Sequence, residues 1–233
     1  MRTGSVVTSS ITTRGRRGLP AAVLAIVVVT ALLVLAVAGV ASAAVSFPDV
    51  PATHPYYAAI TDLATRGIMG GYENGNFGPG DPMLRQEFAK IIVLAGGFPV
   101  SEADVCPFTD VPVSGPSSLY PDNYIAVCAA NGITIGKTAT LFAPDEQVTR
   151  LQVVSMVVRL ADKLKPGLLA NAPMGILWIG TWTNDPTHGP DARRAIYNSL
   201  LDGIELTSPG NVPMPRGEVA QILHNLLVKL SAG

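Results

Sequence analysis

The chain has 233 residues, room for one ordinary domain or a few small repeats. It carries 16 basic and 17 acidic residues; the first 43 hold four arginines and no acid, so the remainder has 12 bases, 17 acids and a net charge of −5. Such a balance argues against nucleic acid as a partner, because phosphates demand basic surface.

The N-terminal stretch comes first in chain order. Arg2, Arg14, Arg16 and Arg17 precede an apolar run over residues 21–40, and Ala41-Ser42-Ala43 follows. Charged, apolar and small-residue regions in that order predict a secretory signal peptide over residues 1–43, cleaved near Ala43. The other reading is a retained membrane anchor, since such a run can span a hydrocarbon core of roughly 30 Å. Either way the rest of the chain lies outside the cytoplasm, because the arginines stay inside. The expected localisation is secreted, at the cell surface, with a membrane contact only if the segment is retained.

Two later segments share one pattern. Phe47-Pro48-Asp49-Val50 and Phe108-Thr109-Asp110-Val111 each precede an apolar helical run, which stops at Gly67-Ile68 and Gly132-Ile133. A Gly-rich loop follows, with Phe77-Gly78-Pro79 or Phe142-Ala143-Pro144, and then Arg85 or Arg150 opens a second helix. Ile60 to Gly67 and Ile125 to Gly132 are both 7 positions, and Gly67 to Arg85 and Gly132 to Arg150 are both 18. The second segment has four extra residues around Val113–Ser118, a stretch of loop composition. A degraded third copy runs from Asp185 through Ile196 and Gly203-Ile204 to Arg216-Gly217-Glu218, with a loop five residues shorter and no Phe-x-Pro.

Each unit therefore predicts helix, Gly-Ile stop, irregular loop, helix. The first helix, 56–66, places Ala59, Ile60, Leu63 and Ala64 on one stripe. The second helices bury Phe88, Ala89, Ile91 and Ile92; Val153, Val154, Met156 and Val157; and Val219, Ile222, Leu223 and Leu226. A two-helix unit cannot enclose its own apolar face, so the units must pack together. The expected organisation is 44–100, 101–164 and 165–233.

Cys106 and Cys128 are an even pair in an exported chain, which predicts a disulfide closing a loop of about 22 residues and worth roughly 3 kcal/mol. Two unpaired thiols, with Cys128 a small core residue, are the other reading. Two cysteines do not make a zinc site.

These residues resemble the S-layer homology domain family, whose pattern runs F-x-D-V, a helix, G-I-x-x-G-Y-x-D-G-x-F-x-P and T-R-A-E before a helix. The first segment matches through Phe47, Asp49, Val50, Gly67-Ile68, Gly71-Tyr72, Phe77, Pro79, Arg85 and Glu87. The second keeps Phe108, Asp110, Gly132-Ile133, Gly136, Phe142, Pro144 and Thr149-Arg150; the third keeps Asp185, Gly203-Ile204, Arg216 and Glu218. The resemblance implies an all-α module of three two-helix repeats with pseudo-threefold symmetry. It also implies attachment to an acidic secondary cell-wall polysaccharide, commonly pyruvylated, held in grooves between repeats.

The glycan-binding residues implied are Asp49, Gly71, Arg85, Asp110, Tyr120, Gly136, Arg150, Asp185 and Arg216. Arginine suits an acidic sugar because its planar fork pairs with a carboxylate. Arg85, Arg150 and Arg216 also open helices, where free N–H groups favour an anion. The aspartates could equally be turn or N-cap residues. The helix-start aromatic of the family pattern is Pro55, Tyr120 and Asp191 in the three copies, so only Tyr120 can stack a sugar at that position, with Tyr56 or Tyr57 as substitutes in the first copy. One or two working grooves are expected, with the third copy mainly structural.

No catalytic constellation stands out. His54, His188 and His224 are scattered, and no H-E-x-x-H or G-x-S-x-G occurs. Glu73-Asn74-Gly75-Asn76 lacks EF-hand ligand order and reads as a turn. The chain is therefore expected to be no enzyme and to need no cofactor or metal. Trp178 and Trp182 precede the third copy as core plugs or a stacking platform. The alternative to glycan binding is a protein-interaction or self-assembly module.

Overall fold

A computed structural model describes residues 1, 4, 45–173 and 181–232. The chain divides into two units, Met1–Ala43 and Ala44–Gly233, and every described helix belongs to the second. The expected signal segment and Trp178 lie outside the described residues. No described helix is long and apolar enough to cross a membrane.

Three helix pairs follow one another: α1 (Tyr57–Thr65) with α2 (Arg85–Ala95), α3 (Asp122–Ala130) with α4 (Arg150–Leu164), and α5 (Gly189–Tyr197) with α6 (Arg216–Ala232). The described residues contain no β-sheet, only three isolated bridges. The all-α expectation holds. The apolar stripes expected on α2, α4 and α6 are all buried; on α1, Ala59, Ile60 and Leu63 are buried, and Ala64 lies at the margin.

Helix ends follow from local chemistry. Thr149 and Gln152 form a reciprocal capping box at α4, with the Gln152 amide donating to Thr149 Oγ1 at 3.3 Å and the Thr149 amide to Gln152 Oε1 at 3.2 Å. α1 closes with a Schellman motif: Ile68 N–H reaches Leu63 O at 2.9 Å, Gly67 N–H reaches Ala64 O at 3.0 Å, and Gly67 has φ +69°. Gly132 and Ile133 repeat this after α3.

The third unit departs from the sequence register. The same motif falls at Ser199 and Leu200, where Leu200 N–H bonds Ala195 O at 2.9 Å and Ser199 has φ 60°. Gly203-Ile204 forms a separate turn, Ile204 N–H to Leu201 O at 3.1 Å. α5 therefore stops four residues before its expected Gly-Ile stop. Matching Ile196 to Ile60 is off by about one helical turn: Ala192 and Ala195 are buried, and Ile196 only partly.

The units close on one another in a ring. α3 packs on α2, α5 on α4 and α1 on α6, while α2, α4 and α6 meet at the centre. The α1–α6 closure carries a 2.9 Å contact from His224 Nδ1 to Asp62. α5 is tied to α4 by a two-pronged Arg194–Asp162 pair, both contacts 2.6 Å. Trp182 plugs the core before α5 at 1% exposure and donates Nε1–H to Ser208 O. Burying a side chain of that class contributes about 1.5–3 kcal/mol.

Candidate functional site: two interunit grooves

Each irregular loop serves a helix of another unit. Arg216 N–H donates to Asp81 O at 2.9 Å and Gly217 N–H to Pro79 O at 2.8 Å. Arg85 N–H donates to Glu146 O and Gln86 N–H to Pro144 O, and Arg150 N–H donates to Val212 O and Leu151 N–H to Gly210 O. The first amides of α2, α4 and α6 are thus already satisfied. They are not the free anion-binding groups that helix starts predict.

The arginine side chains complete this exchange. Arg216 Nε donates to Phe77 O at 2.9 Å and its Nη2 to Gly70 O at 2.7 Å, with the guanidinium over the Phe77 and Tyr72 rings. Arg85 Nε donates to Phe142 O at 2.8 Å and its Nη1 to Gln152 Oε1 at 3.0 Å. Asp49 holds the other side of the same loop, accepting from Phe77 N–H at 2.9 Å and Gly78 N–H at 2.7 Å. Asp110 does so for Phe142 and Ala143 at 2.8 and 2.7 Å. Burial pushes both carboxyls up, but the accepted amides outweigh it and hold them below the ordinary aspartate value. Asp49 and Asp110 each clamp a loop through two accepted amides.

Arg150 follows another course because the third loop has no phenylalanine to offer. Its Nε and Nη2 pair with Glu218 at 2.9 and 2.5 Å, both side chains buried. Tyr56 covers this junction, lying where a Cβ on Gly217 would come within 2.5 Å of its ring. Asp185 accepts from Thr187 and His188 N–H at 2.9 and 2.7 Å and turns the chain into α5.

Two grooves open at the other junctions. The first, about 420 Å³, gathers Gly71, Tyr72, Glu87, Lys90, Tyr120 and Arg216. The second, about 290 Å³, gathers Arg85, Gly136, Lys137, Gln152, Arg159 and His188. Gly71 and Gly136 must be glycine: a Cβ on Gly71 would strike Phe47, and Gly136 has φ +73° with Phe108 at 2.5 Å from its Cβ position. Lys90 Nζ sits 5.6 Å from the Tyr120 ring and 5.7 Å from Tyr124. Burial, with Glu87 and Asp145 adding to it, pushes the Tyr120 phenol up to about 12, so it keeps its proton.

The expected residues are thus redistributed. Gly71, Tyr120 and Arg216 meet in one groove, drawn from three units. Arg85 and Gly136 meet in the other. Neither groove is lined by Asp49, Asp110, Arg150 or Asp185. The third copy, expected to be mainly structural, supplies Arg216 to one groove and His188 to the other. Tyr72, Lys90, Arg159 and His188 were missed. Tyr72 was legible as the aromatic after Gly71; the other three carry no motif.

The expected disulfide between Cys106 and Cys128 is not shown. Cys106 and Cys128 are both free thiols. Burial pushes the Cys128 thiol up to about 12, and the backbone group bonded to it is Thr134; Cys106 faces Phe108 instead. Each sulfur is served by a different amide.

All-helical units joined in a ring, with grooves at the junctions, define a repeat-built module. The S-layer homology domain model matches residues 46–89 and 107–154. The chain is 31% identical over 136 residues to the S-layer protein EA1 of Bacillus anthracis, covering 57% of this chain and 15% of that protein. It is 32% identical over 122 residues to an S-layer protein of Bacillus licheniformis, covering 52% and 13%. It is 26% identical over 165 residues to the middle cell wall protein of Brevibacillus brevis, covering 71% and 14%. The matched stretch is therefore only 13–15% of these relatives' length. A Bacillus endoglucanase is matched over 12% of its own length.

Proposed function

We propose that this module attaches its chain non-covalently to the bacterial wall by holding an acidic secondary cell-wall polysaccharide in the two grooves. The observation that carries this reading is the first groove, whose lining brings together Arg216, 4.9 Å from the Tyr72 ring, and Lys90, 5.6 Å from the Tyr120 ring. Aromatic rings stack on sugar faces, and a guanidinium beside an ammonium suits a carboxylate such as a pyruvate ketal. The third helix pair serves as a degenerate S-layer homology repeat, giving units 44–100, 101–164 and 165–233. Its role includes lending Arg216 and His188 across the ring. The module itself is non-catalytic: both grooves lie at its unit junctions, and the S-layer relatives point to a structural part.

Cosedimentation with purified wall sacculi tests this. The protein should pellet with sacculi that carry their secondary polymer and stay in solution with acid-stripped sacculi. Equal pelleting with both would refute the polysaccharide as ligand.

A further inference from the structure

We infer that the second groove is a proton-coupled anion site, in which a compact anionic group of the wall polymer binds most tightly when His188 is protonated. This inference rests on the wall-binding reading above and adds a regulation to it.

The two grooves differ in charge and shape. The first has Glu87 beside its cations and two tyrosine rings. The second has Gln152 at the matching position, so its lining holds Arg85, Lys137 and Arg159 and no carboxylate, although Lys137 is ion-paired with Glu146 beside the groove. It offers no tyrosine, tryptophan or phenylalanine among its lining residues. A site rich in cations and without a stacking face selects a charged group over a sugar ring. Carboxylate and phosphodiester both fit that description.

His188 is fixed at the wall of this groove. Its Nδ1 lies 2.8 Å from the Oγ of Ser155, a residue of α4 only 1% exposed, and its backbone N–H is held by Asp185 at 2.7 Å. The charged groups that bear on the ring are Arg159 from α4 and Asp185 and Asp191 from its own segment; Arg85 and Lys137 line the same groove, Lys137 paired with Glu146. Burial, with Arg159, pushes the imidazole below its ordinary value despite the two aspartates, so the empty groove favours the neutral ring near neutrality. An anion in this groove beside Arg159 offsets its repulsion and favours the imidazolium. By linkage the two effects are reciprocal: if the anion raises the His188 pKa, acid tightens the anion. Affinity is then flat above the anion-bound pKa, rises as pH falls through it and levels below the free pKa. A shift of one pKa unit corresponds to about tenfold in affinity.

The chain has three histidines, so proton NMR of the full-length protein resolves the question. His188→Gln assigns its resonance, and His54 and His224 act as internal references. The probes are methyl glucuronoside for a carboxylate and dimethyl phosphate for a phosphodiester, both ionised throughout the titration. At saturation at least one probe should raise the His188 pKa by about half a unit or more, leaving His54 and His224 in place. Lys137→Gln should weaken that probe about threefold or more. The probe with the larger shift names the source of the anion. Cosedimentation with sacculi should be about threefold tighter near pH 5.5 than near pH 7.5, and His188→Gln should flatten the difference. A His188 pKa unmoved by either probe, or a pH dependence that survives His188→Gln, overturns the inference and leaves wall binding through the first groove standing. A shifted His188 with no sacculus binding at either pH upholds the anion site and refutes the wall reading.

Discussion

Arg150 and Glu218 form a buried two-pronged ion pair, 2.9 and 2.5 Å, at the one unit junction whose loop lacks Phe-x-Pro. At the other two junctions the arginine Nε bonds a phenylalanine carbonyl. Here Glu218, two residues into the neighbouring helix, takes the Nε bond, and the loop carbonyl of Pro213 accepts from Nη1 at 3.4 Å. Breaking one partner of such a pair strands a buried charge. Glu218→Ala should therefore lower unfolding stability by about 3 kcal/mol in urea denaturation, while the Arg150→Met/Glu218→Leu double variant should lose much less. Equal losses would show that the two charges are not coupled.

Among the described residues, two non-glycines sit in the left-handed region: Ala143 at φ 60°, where the first unit has Gly78, and Ser199 at φ 60°, where the first unit has Gly67. The conformation costs an ordinary residue about 1–2 kcal/mol, partly offset by the greater unfolded-state freedom of glycine. Ala143→Gly and Ser199→Gly should each raise stability by about 0.5–1 kcal/mol, read as a higher urea midpoint at unchanged m. The converse Gly78→Ala should destabilise, since its Cβ would strike Asp81 and Tyr72.

Asp49 and Asp110 give the fold an acid limit. Their folded pKa values lie below the unfolded value of about 3.9, so their stabilisation is complete above that value and is lost as pH falls through the folded pKa. Asp49→Asn and Asp110→Asn should each cost about 1–2 kcal/mol at neutral pH, and the double variant should show a shallower loss of stability between neutral and acid pH. An unaltered acid limb would remove the clamps from this account.

The thiols offer a separate check. With burial pushing the Cys128 thiol up to about 12, it should resist Ellman's reagent in the native protein. Both Cys106 and Cys128 should react once the chain is unfolded without reductant. Recovery of no free thiol would restore the disulfide.

The helices were legible because spacing repeats: Arg85 and Arg150 stand 18 positions after Gly67 and Gly132, and both open helices. The buried faces of α2, α4 and α6 followed from 3.6-residue periodicity. Partnership between units was not legible. Arg216 meets Gly71 and Phe77 because α1 closes on α6, a contact between distant parts of the chain that no local pattern encodes. Asp49 and Asp110 were correctly seen as recurrent, but recurrence does not separate a ligand group from a loop clamp. The register of α5 slipped because Gly203-Ile204 imitates the earlier stops, while the left-handed residue that ends the helix is Ser199.

The central claim is that the first groove carries wall binding. The most direct measurement is the affinity of Tyr72→Ala/Lys90→Glu for polymer-bearing sacculi beside that of the unaltered protein. Tyr72 is 43% exposed and Lys90 is exposed, so the fold should survive, as circular dichroism and a retained urea midpoint would verify. The account predicts about tenfold or weaker binding for the variant, from loss of the stacking ring and reversal of one charge. A folded variant that binds these sacculi as tightly as the unaltered protein would contradict it.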